Sequence, residues 1–211
     1  MVNAFVHTID LMDWIRWLLP VCNDGPAEPV GPAVDEDAAW LARVADGDES
    51  ALQRLFDRWK LPLLSFFYRA LGSHADAEDL TLEVFVRLHR AARDYQPTAK
   101  FSTYLFHIAE NLVRNEWRRR RRKPASPMPP ELFDAVPGPA DSTQRLHEIE
   151  EVFQQALMRL PEKSRTALLL VQQQQLSYPE AAAALRITEN ALRVLVHRAR
   201  QLLKTEMEAL S

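Results

Sequence analysis

Apolar side chains recur three or four positions apart through the first half of the chain. After the acidic and polar residues at positions 48–50, Leu52, Leu55, Phe56 and Trp59 repeat at this interval, which predicts an amphipathic helix. The same spacing returns over residues 63–71, 75–92 and 101–112. Residues 35–123 are therefore predicted to form one helical domain.

A second group of helical patterns lies near the C-terminus. Leu146, Ile149, Phe153 and Leu157 mark a helix that ends before Pro161. Further helices are predicted over residues 164–174, 177–185 and 188–203. We assign residues 146–207 to a second helical domain, so the predicted fold class is all-α with two small domains.

The segments outside these domains read as linkers. Residues 124–145 carry six prolines, all between positions 124 and 139, and this density prevents regular structure. We predict a flexible, proline-rich tether with a reach of roughly 60 Å. Residues 1–34 form an N-terminal extension and linker. Because Asp10 and Asp13 interrupt its apolar part, a docked helix or a start codon assigned too far upstream is favoured over a secretion signal.

Composition restricts the class of protein. Cys22 is the single cysteine in 211 residues, so no internal disulfide is expected and the cytoplasm is the expected compartment. No apolar run is long enough to cross a membrane. The six histidines are scattered, no Cys–His spacing suits zinc, and no glycine-rich phosphate loop is present. We therefore predict no enzymatic activity, no metal and no cofactor.

The net charge of −3 conceals two basic stretches on an acidic body. Residues 114–123 hold seven basic residues and one acid, and residues 186–204 hold five basic residues and one acid. The first stretch predicts contact with phosphates, and a solvated basic tail is the alternative. Tyr95, Tyr104 and Trp117 lie beside it, and such rings stack on unpaired bases. Phe101 lies there too, but its spacing favours the core.

The last two predicted helices, joined by a short turn at residues 186 and 187, are typical of a helix-turn-helix. Thr188 suits an N-cap, and the next turns carry polar residues that could reach base edges. These residues are Glu189, Asn190, Arg193, His197 and Arg198. The residues expected to pack inward are Ala191, Leu192, Leu195, Val196 and Ala199. An ordinary helical hairpin with a solvated charged face is the alternative.

Five stretches together resemble a known family. Residues 77–85 (AEDLTLEVF) and 101–111 (FSTYLFHIAEN) are similar to segments of region 2 of bacterial RNA polymerase sigma factors. Residues 160–165 (LPEKSR), 176–182 (LSYPEAA) and 197–200 (HRAR) resemble parts of region 4. One such motif alone is weak, but their order along the chain is specific. The chain resembles the small two-domain, extracytoplasmic-function class of the sigma-70 family.

The resemblance implies a factor that directs core RNA polymerase to specific promoters and assists promoter melting. The first domain, as region 2, would bind the polymerase clamp and the melted −10 element, and the second, as region 4, would bind the −35 element. The implied clamp-binding residues are Glu78, Asp79, Leu82, Glu83 and Phe85. The implied −10 residues are Lys100, Phe101, Ser102, Tyr104, Asn111, Arg114, Asn115, Arg118 and Arg119. The implied −35 residues are Thr188, Glu189, Asn190, Arg193, Val194, His197 and Arg198.

The chain departs from the family pattern at several positions. Leu82 stands where Gln is usual, and Arg186 replaces the glycine of the turn, so the turn lacks a residue suited to positive φ. Core polymerase and promoter DNA are the implied partners, an anti-sigma factor is a further candidate, and no membrane insertion is expected. The alternative function is a helix-turn-helix regulator that binds duplex DNA without polymerase, which leaves the first domain without a role.

Overall fold

The computed structural model describes residues 35–122 and 140–210, with side chains for residues 35–122 and 150–209. All regular structure within these ranges is helical. Our expectations for residues 1–34 and for most of the proline-rich tether lie outside the described residues. No helix in the described ranges has the length and apolar character needed to cross a bilayer.

The first domain is built from four α-helices and a short 3₁₀ turn. These are α1 (Glu36–Ala45), α2 (Glu49–Leu71), α3 (His74–Ala91), the 3₁₀ turn Ala92–Asp94 and α4 (Phe101–Arg122). The N-cap of α2 is Asp48, whose carboxylate accepts hydrogen bonds from the backbone N–H groups of Ser50 and Ala51. The helix ends at Gly72, whose φ of 70° lies in the left-handed region that glycine adopts without a steric penalty.

Asp35 caps two helices of this domain. One of its carboxylate oxygens accepts a hydrogen bond from the backbone N–H of Ala38 (3.3 Å), and the other accepts one from the backbone N–H of Phe101 (2.6 Å). Ala38 lies in the first turn of α1, and Phe101 is the first residue of α4. One side chain therefore satisfies an N–H group at the start of each helix, where no intrahelical partner exists.

The core of the first domain is aromatic. Phe66, Phe101 and Phe106 are fully buried, and the rings of Phe66 and Phe106 meet edge-on with their centroids 5.4 Å apart. The ring of Trp59 lies 6.0 Å from that of Phe106. Edge-on aromatic pairs are favourable beyond the area that they bury. The apolar stripes predicted from the sequence therefore meet as expected, and the all-α prediction is confirmed.

The second domain also contains four helices. These are α5 (Ala140–Arg159), α6 (Glu162–Gln172), α7 (Tyr178–Leu185) and α8 (Glu189–Leu210). Helix α5 begins at Ala140 rather than at residue 146, so the expected extended segment over residues 140–145 is wrong. The physical reason is that no proline lies between Pro139 and Pro161, and nothing there interrupts the hydrogen bonds of a helix.

Helices α7 and α8 form the helix-turn-helix that the sequence predicts. Helix α7 opens with a capping box, in which the Ser177 hydroxyl accepts from the Glu180 backbone N–H and the Glu180 carboxylate accepts from the Ser177 backbone N–H. It ends at Arg186, which has φ 54° and ψ 45°. A non-glycine residue in this left-handed conformation costs roughly 1–2 kcal/mol.

The two domains pack directly against each other. Helix α2 contacts α5 and α6, and α4 contacts α7. Within the second domain, α8 packs against α5, α6 and α7.

Substitution of Arg186 by glycine should stabilise the protein. Arg186→Gly should raise the free energy of unfolding by about 1 kcal/mol, because glycine adopts the left-handed turn without a Cβ clash. Urea denaturation measures this change. Arg186→Ala is the matched control, since it removes the same side chain but keeps the Cβ atom. Equal stabilisation by both variants would assign the effect to the guanidinium rather than to the backbone.

Candidate nucleic-acid and partner-binding surfaces

The outer side of α3 presents acidic and apolar side chains together. Glu78, Asp79 and Leu82 are exposed and Glu83 is half-buried. Leu82 is 55% exposed, and Val86, one turn further along α3, is 41% exposed. Exposed apolar residues bordered by carboxylates suit a protein partner that offers apolar and basic groups.

Phe85 does not lie on this surface. It is 7% exposed, and its ring centroid lies 4.9 Å from that of Phe56 in the core. Its neighbours in the helical pattern, Val84 and Leu88, are fully buried, which places Phe85 on the inner side of α3. The assignment of Phe85 as a direct partner contact is therefore wrong.

The loop before α4 and its first turn form the start of a second surface. Lys100 is exposed, and Ser102 and Tyr104 are half-buried. The Tyr104 ring centroid lies 4.9 Å from that of Tyr95, and burial raises the pKa of both phenols, so both rings stay neutral at physiological pH. Phe101 is fully buried, so its assignment as a DNA contact is wrong. Phe101 is the first residue of α4, and its backbone N–H donates to the Asp35 carboxylate while its ring lies in the core.

A polar strip continues this surface along α4. Asn111 and Arg114 are half-buried, and Asn115, Arg118 and Arg119 are exposed. Asn111 accepts a hydrogen bond from Arg114, and the Asn115 amide oxygen accepts one from Arg118 (3.0 Å). These residues follow Tyr104 at helical spacing and so share one side of the helix. Amides and guanidinium groups in such a strip can bind bases and phosphates.

The arginine-rich end of α4 is only partly available to a ligand. Arg120 donates to Glu116 (2.9 Å), to Asp76 (2.5 Å) and to the carbonyl oxygen of Leu71 (2.8 Å). Arg119 donates to both carboxylate oxygens of Glu116, at 2.6 and 2.7 Å, but its side chain is 65% exposed. Arg120 therefore stabilises the fold, whereas Arg119 keeps an outward face.

Trp117 differs from its expected role. It was expected to offer a stacking surface beside the arginine run, but it is 7% exposed and belongs to the core. The side chain lies on the inner face of α4 together with Val113, which is fully buried. The aromatic contribution to this surface comes from Tyr104 and Tyr95 instead.

Helix α7 contacts the N-terminal part of this α4 surface. The Nδ1–H group of His107 donates to the carbonyl oxygen of Ala184 (2.7 Å), and the Asn111 amide donates to the other ring nitrogen of His107 (3.0 Å). Lys100 forms an ion pair with Glu180 at 2.7 Å. Sequence reasoning missed His107 and Glu180. The available signal was that His107 lies between Tyr104 and Asn111 on the same helical face.

The ion pair with Lys100 helps to keep the Glu180 carboxylate charged. Burial raises the pKa of the Glu180 carboxyl, but hydrogen bonds from Lys100 and Ser177 outweigh burial and hold its pKa below the usual value. The carboxylate is therefore charged at neutral pH. A cavity of about 200 Å³ lies beside this contact, and residues from both domains line it, including Tyr95, Tyr104 and Ala183.

Helix α8 presents a separate polar face to solvent. The Thr188 hydroxyl accepts a hydrogen bond from the backbone N–H of Ala191 (3.2 Å), which confirms Thr188 as the cap. The exposed residues of the first turns are Asn190, Ala191, Arg193, Val194, His197 and Arg198, with Glu189 half-buried. The expectation that Ala191 packs inward is wrong, because Ala191 is exposed, whereas Leu192, Val196 and Ala199 are fully buried and Leu195 packs partly buried against the core.

Arg193 is held in place before any ligand arrives. Its guanidinium bonds to the Glu189 carboxylate (2.7 Å) and lies 4.5 Å above the ring centroid of Tyr178. Tyr178 belongs to α7, so the side chain bridges both helices of the motif. Val194, beside it, is 48% exposed and offers methyl groups to the same side.

The described residues contain no group of three or more His, Cys, Asp or Glu side chains that could hold a metal ion.

Comparisons with known proteins assign both domains to one family. Residues 55–123 match the family described as Sigma-70 region 2, and residues 150–203 match Sigma-70, region 4. The chain is 33% identical over 180 residues to the ECF RNA polymerase sigma factor SigE of Mycolicibacterium smegmatis, covering 84% of this chain and 67% of SigE. It is 29% identical over 182 residues to the ECF RNA polymerase sigma factor SigW of Bacillus subtilis, covering 81% and 96% of the two chains.

Solved structures show the same architecture. CnrH, solved in complex with the cytosolic domain of CnrY, matches with a TM-score of 0.61 and 26% identity over 83% of this chain and 99% of CnrH. The sigma factor RpoE of Bartonella quintana, solved with the anti-sigma factor NepR, shares the fold with a TM-score of 0.62 and 21% identity, over 74% of this chain and 96% of RpoE. With a region 2 domain followed by a region 4 domain, the chain belongs to the extracytoplasmic-function sigma factors of the sigma-70 family.

Proposed function

We infer that this chain, as a sigma factor, directs core RNA polymerase to specific promoters and assists promoter melting. The observation that carries this conclusion is that one chain combines a region 2 domain with a region 4 helix-turn-helix and is similar over most of its length to extracytoplasmic-function sigma factors. A duplex-binding regulator would need the second domain alone. The first domain, with its α3 and α4 surfaces, is accounted for only by the sigma function.

The α3 surface is the proposed site for the polymerase clamp. Glu78, Asp79, Leu82 and Glu83 supply charge and apolar area on the exposed side of this helix. Leu82, at 55% exposed, offers apolar contact area where a Gln would offer a hydrogen bond. Phe85 supports this surface from beneath by packing on Phe56.

The α4 surface is the proposed site for the melted −10 strand. Unpaired bases would stack on Tyr104 while cationic and amide groups hold the backbone, so melting requires trapping of bases and no covalent chemistry. The contributing residues are Lys100, Ser102, Tyr104, Asn111, Arg114, Asn115, Arg118 and Arg119. Phe101 acts indirectly by anchoring the first turn of α4 in the core.

The exposed face of α8 is the proposed reader of the −35 element. Asn190, Arg193 and His197 can bond base edges in the major groove, and the methyl groups of Val194 suit a thymine methyl. Thr188, Glu189 and Arg198 complete the set. Thr188 contributes by capping α8, and Glu189 contributes by holding the guanidinium of Arg193.

The remaining parts of the function follow from this role. The protein is proposed to act without catalysis or cofactor, in the cytoplasm, where polymerase and promoter DNA are found. The similar protein CnrH was solved in complex with the cytosolic domain of CnrY, and the sigma factor RpoE was solved in complex with the anti-sigma factor NepR. An anti-sigma factor is therefore a further proposed partner.

The purified chain should co-elute with bacterial core RNA polymerase and give discrete start sites on a library of genomic fragments. Asp79→Lys should weaken co-elution by roughly tenfold, since it reverses a charge on the clamp-binding surface. Asp57→Lys on the exposed side of α2 is the matched control. A chain that binds duplex DNA alone, yields no start sites with polymerase, and is not rescued by Leu82→Gln would be a regulator and not a sigma factor.

Two arginines at the C-terminal end of α4 should respond differently to substitution, because one is proposed to bind phosphate and the other stabilises the fold. Arg118→Gln should lower the salt dependence of promoter binding by about one unit of slope, because an exposed phosphate contact is lost. Arg120→Gln should instead lower the free energy of unfolding, because it removes the hydrogen bonds that Arg120 donates to Glu116, to Asp76 and to the buried end of α2 at the Leu71 carbonyl oxygen. Filter binding at several salt concentrations and urea denaturation separate the two. Equal salt slopes for wild type and Arg118→Gln would make that residue a solvated cation.

Loss of the α8 reading face should change promoter preference. Arg193→Ala and His197→Ala should each weaken binding to the −35 element by ~1–3 kcal/mol per lost base contact. Competition between wild-type and altered −35 sequences measures this loss. Lys204→Ala, an exposed cation further along the same helix, should leave the preference intact. An unchanged preference in both test variants would place the reading face elsewhere.

A further inference from the structure

A cavity of about 390 Å³ lies where the C-terminal end of α4 meets the end of α5 and the first turn of α6. We propose that this cavity binds a small phosphate-bearing ligand. Its lining residues belong to none of the proposed clamp, −10 or −35 sets, so the proposal goes beyond promoter recognition. These residues are Trp117, Arg120, Arg121, Met158, Glu162 and Arg165.

Arg165 brings a buried positive charge to the cavity without a carboxylate to balance it. The side chain is 4% exposed, and its terminal nitrogens donate to carbonyl oxygens at the ends of α2 and α5 and to the sulfur of Met158 (3.2 Å). In the described part of the chain, its Nε–H group has no acceptor. A buried cation that is bonded only to neutral groups favours an anion nearby.

The pKa of Arg165 reflects the same surroundings. Burial lowers it to about 10, the carboxylate of Glu162 partly offsets this effect, and the charge of Arg120 adds to it. The group therefore stays charged at neutral pH while it is repelled by a second guanidinium. An anion placed between these two cations would relieve the repulsion.

Arg120 and Arg121 differ in how firmly they are held. Arg120 is fixed by hydrogen bonds to Glu116 (2.9 Å), to Asp76 and to a carbonyl oxygen of α2, so it forms a rigid part of the wall. Arg121 is 63% exposed and pairs with Glu162 at 3.3 Å. A ligand phosphate can replace Glu162 at Arg121 without leaving a buried donor unpaired, because both side chains of this pair reach solvent.

The donor set suits phosphate better than a single carboxylate. Guanidinium groups bind phosphate oxygens through paired N–H···O bonds, and an anion of two or more charges gains from each cation that surrounds it. The cavity volume falls within the range of small-molecule sites, roughly 300–1,000 Å³. Trp117 and Met158 add apolar wall beside the cations. A recess between helices favours a small free ligand over the continuous backbone of DNA, which needs an open surface.

The test is calorimetric titration of the full chain with inorganic pyrophosphate. Arg121→Gln should weaken binding about tenfold, because it removes the most accessible cation of the cavity. Glu162→Gln should tighten binding several-fold, because it removes the one carboxylate of the lining. Arg122→Gln is the matched control and should bind as wild type, since this exposed neighbour in the same arginine run does not line the cavity.

Two further ligands define the chemistry of the site. Succinate, a dianion that carries carboxylates, should bind more weakly than pyrophosphate, because the guanidinium groups would surround a phosphate more completely. A short single strand of DNA offers the same phosphate chemistry from a nucleic acid. Its affinity should be the same for Arg121→Gln and Arg122→Gln, because the cavity is proposed to admit only the small ligand. Thermal unfolding of each variant verifies that the protein is folded.

Three results would overturn the proposal. These are a wild-type chain that binds no pyrophosphate up to millimolar concentration, equal weakening by Arg121→Gln and Arg122→Gln, and succinate binding as tight as pyrophosphate binding. Weaker DNA-strand binding by Arg121→Gln alone, without pyrophosphate binding, would instead assign the cavity to the DNA backbone. Transcription with core polymerase is measured separately, so failure of this site leaves the proposed sigma function untouched.

Discussion

The arrangement of both domains depends on the hydrogen bonds that the buried guanidinium of Arg165 donates. It is 4% exposed and donates to the carbonyl oxygens of Met158 (2.9 Å) and Leu160 (3.0 Å) at the end of α5, and to that of Ala70 at the end of α2. The C-terminal carbonyls of helices lack intrahelical partners and carry negative partial charge, so one cation satisfies two helix ends. Burial lowers the pKa of Arg165 to about 10, and it stays protonated at neutral pH. A lysine could not reach all three acceptors, because it lacks the planar fork.

Periodicity predicted the helices of this chain well, because burial of an apolar stripe determines where a helix lies. Motif resemblance was less reliable for individual residues. Phe85 and Phe101 stand inside motifs to which the resemblance assigns partner contacts, yet both are core residues beneath those surfaces. Phe85 belongs to the same apolar helical pattern as Val84 and Leu88, and this pattern already predicted that it faces inward. The prediction for Ala191 was wrong in the opposite direction, because this residue was predicted to be buried and is exposed. A methyl side chain alone gives little indication of whether it is buried.

The contacts between the domains had no comparable signal in the sequence. They join residues far apart in the chain through polar side chains and carbonyl oxygens, as in the pair formed by Arg69 and Glu150. Polar residues at such positions look like ordinary surface residues until the fold brings them together. The arginine run shows the same limit, because only the fold places Arg120 within reach of Asp76 and of the end of α2. A count of charges therefore overestimates the cations available to DNA.

Helix α8 packs on the other helices of its domain, while α7 makes the contact with α4. Residues such as Asn190, Val194 and His197 face solvent on α8. Under the role proposed for this face, substitutions there change which promoters are chosen without disturbing the contact between the domains. Descendants of such a protein could acquire new target genes by drift in a few surface positions while the packing of α7 on α4 is inherited unchanged. Selection could then act on promoter choice and on the packing of the domains as two separate traits.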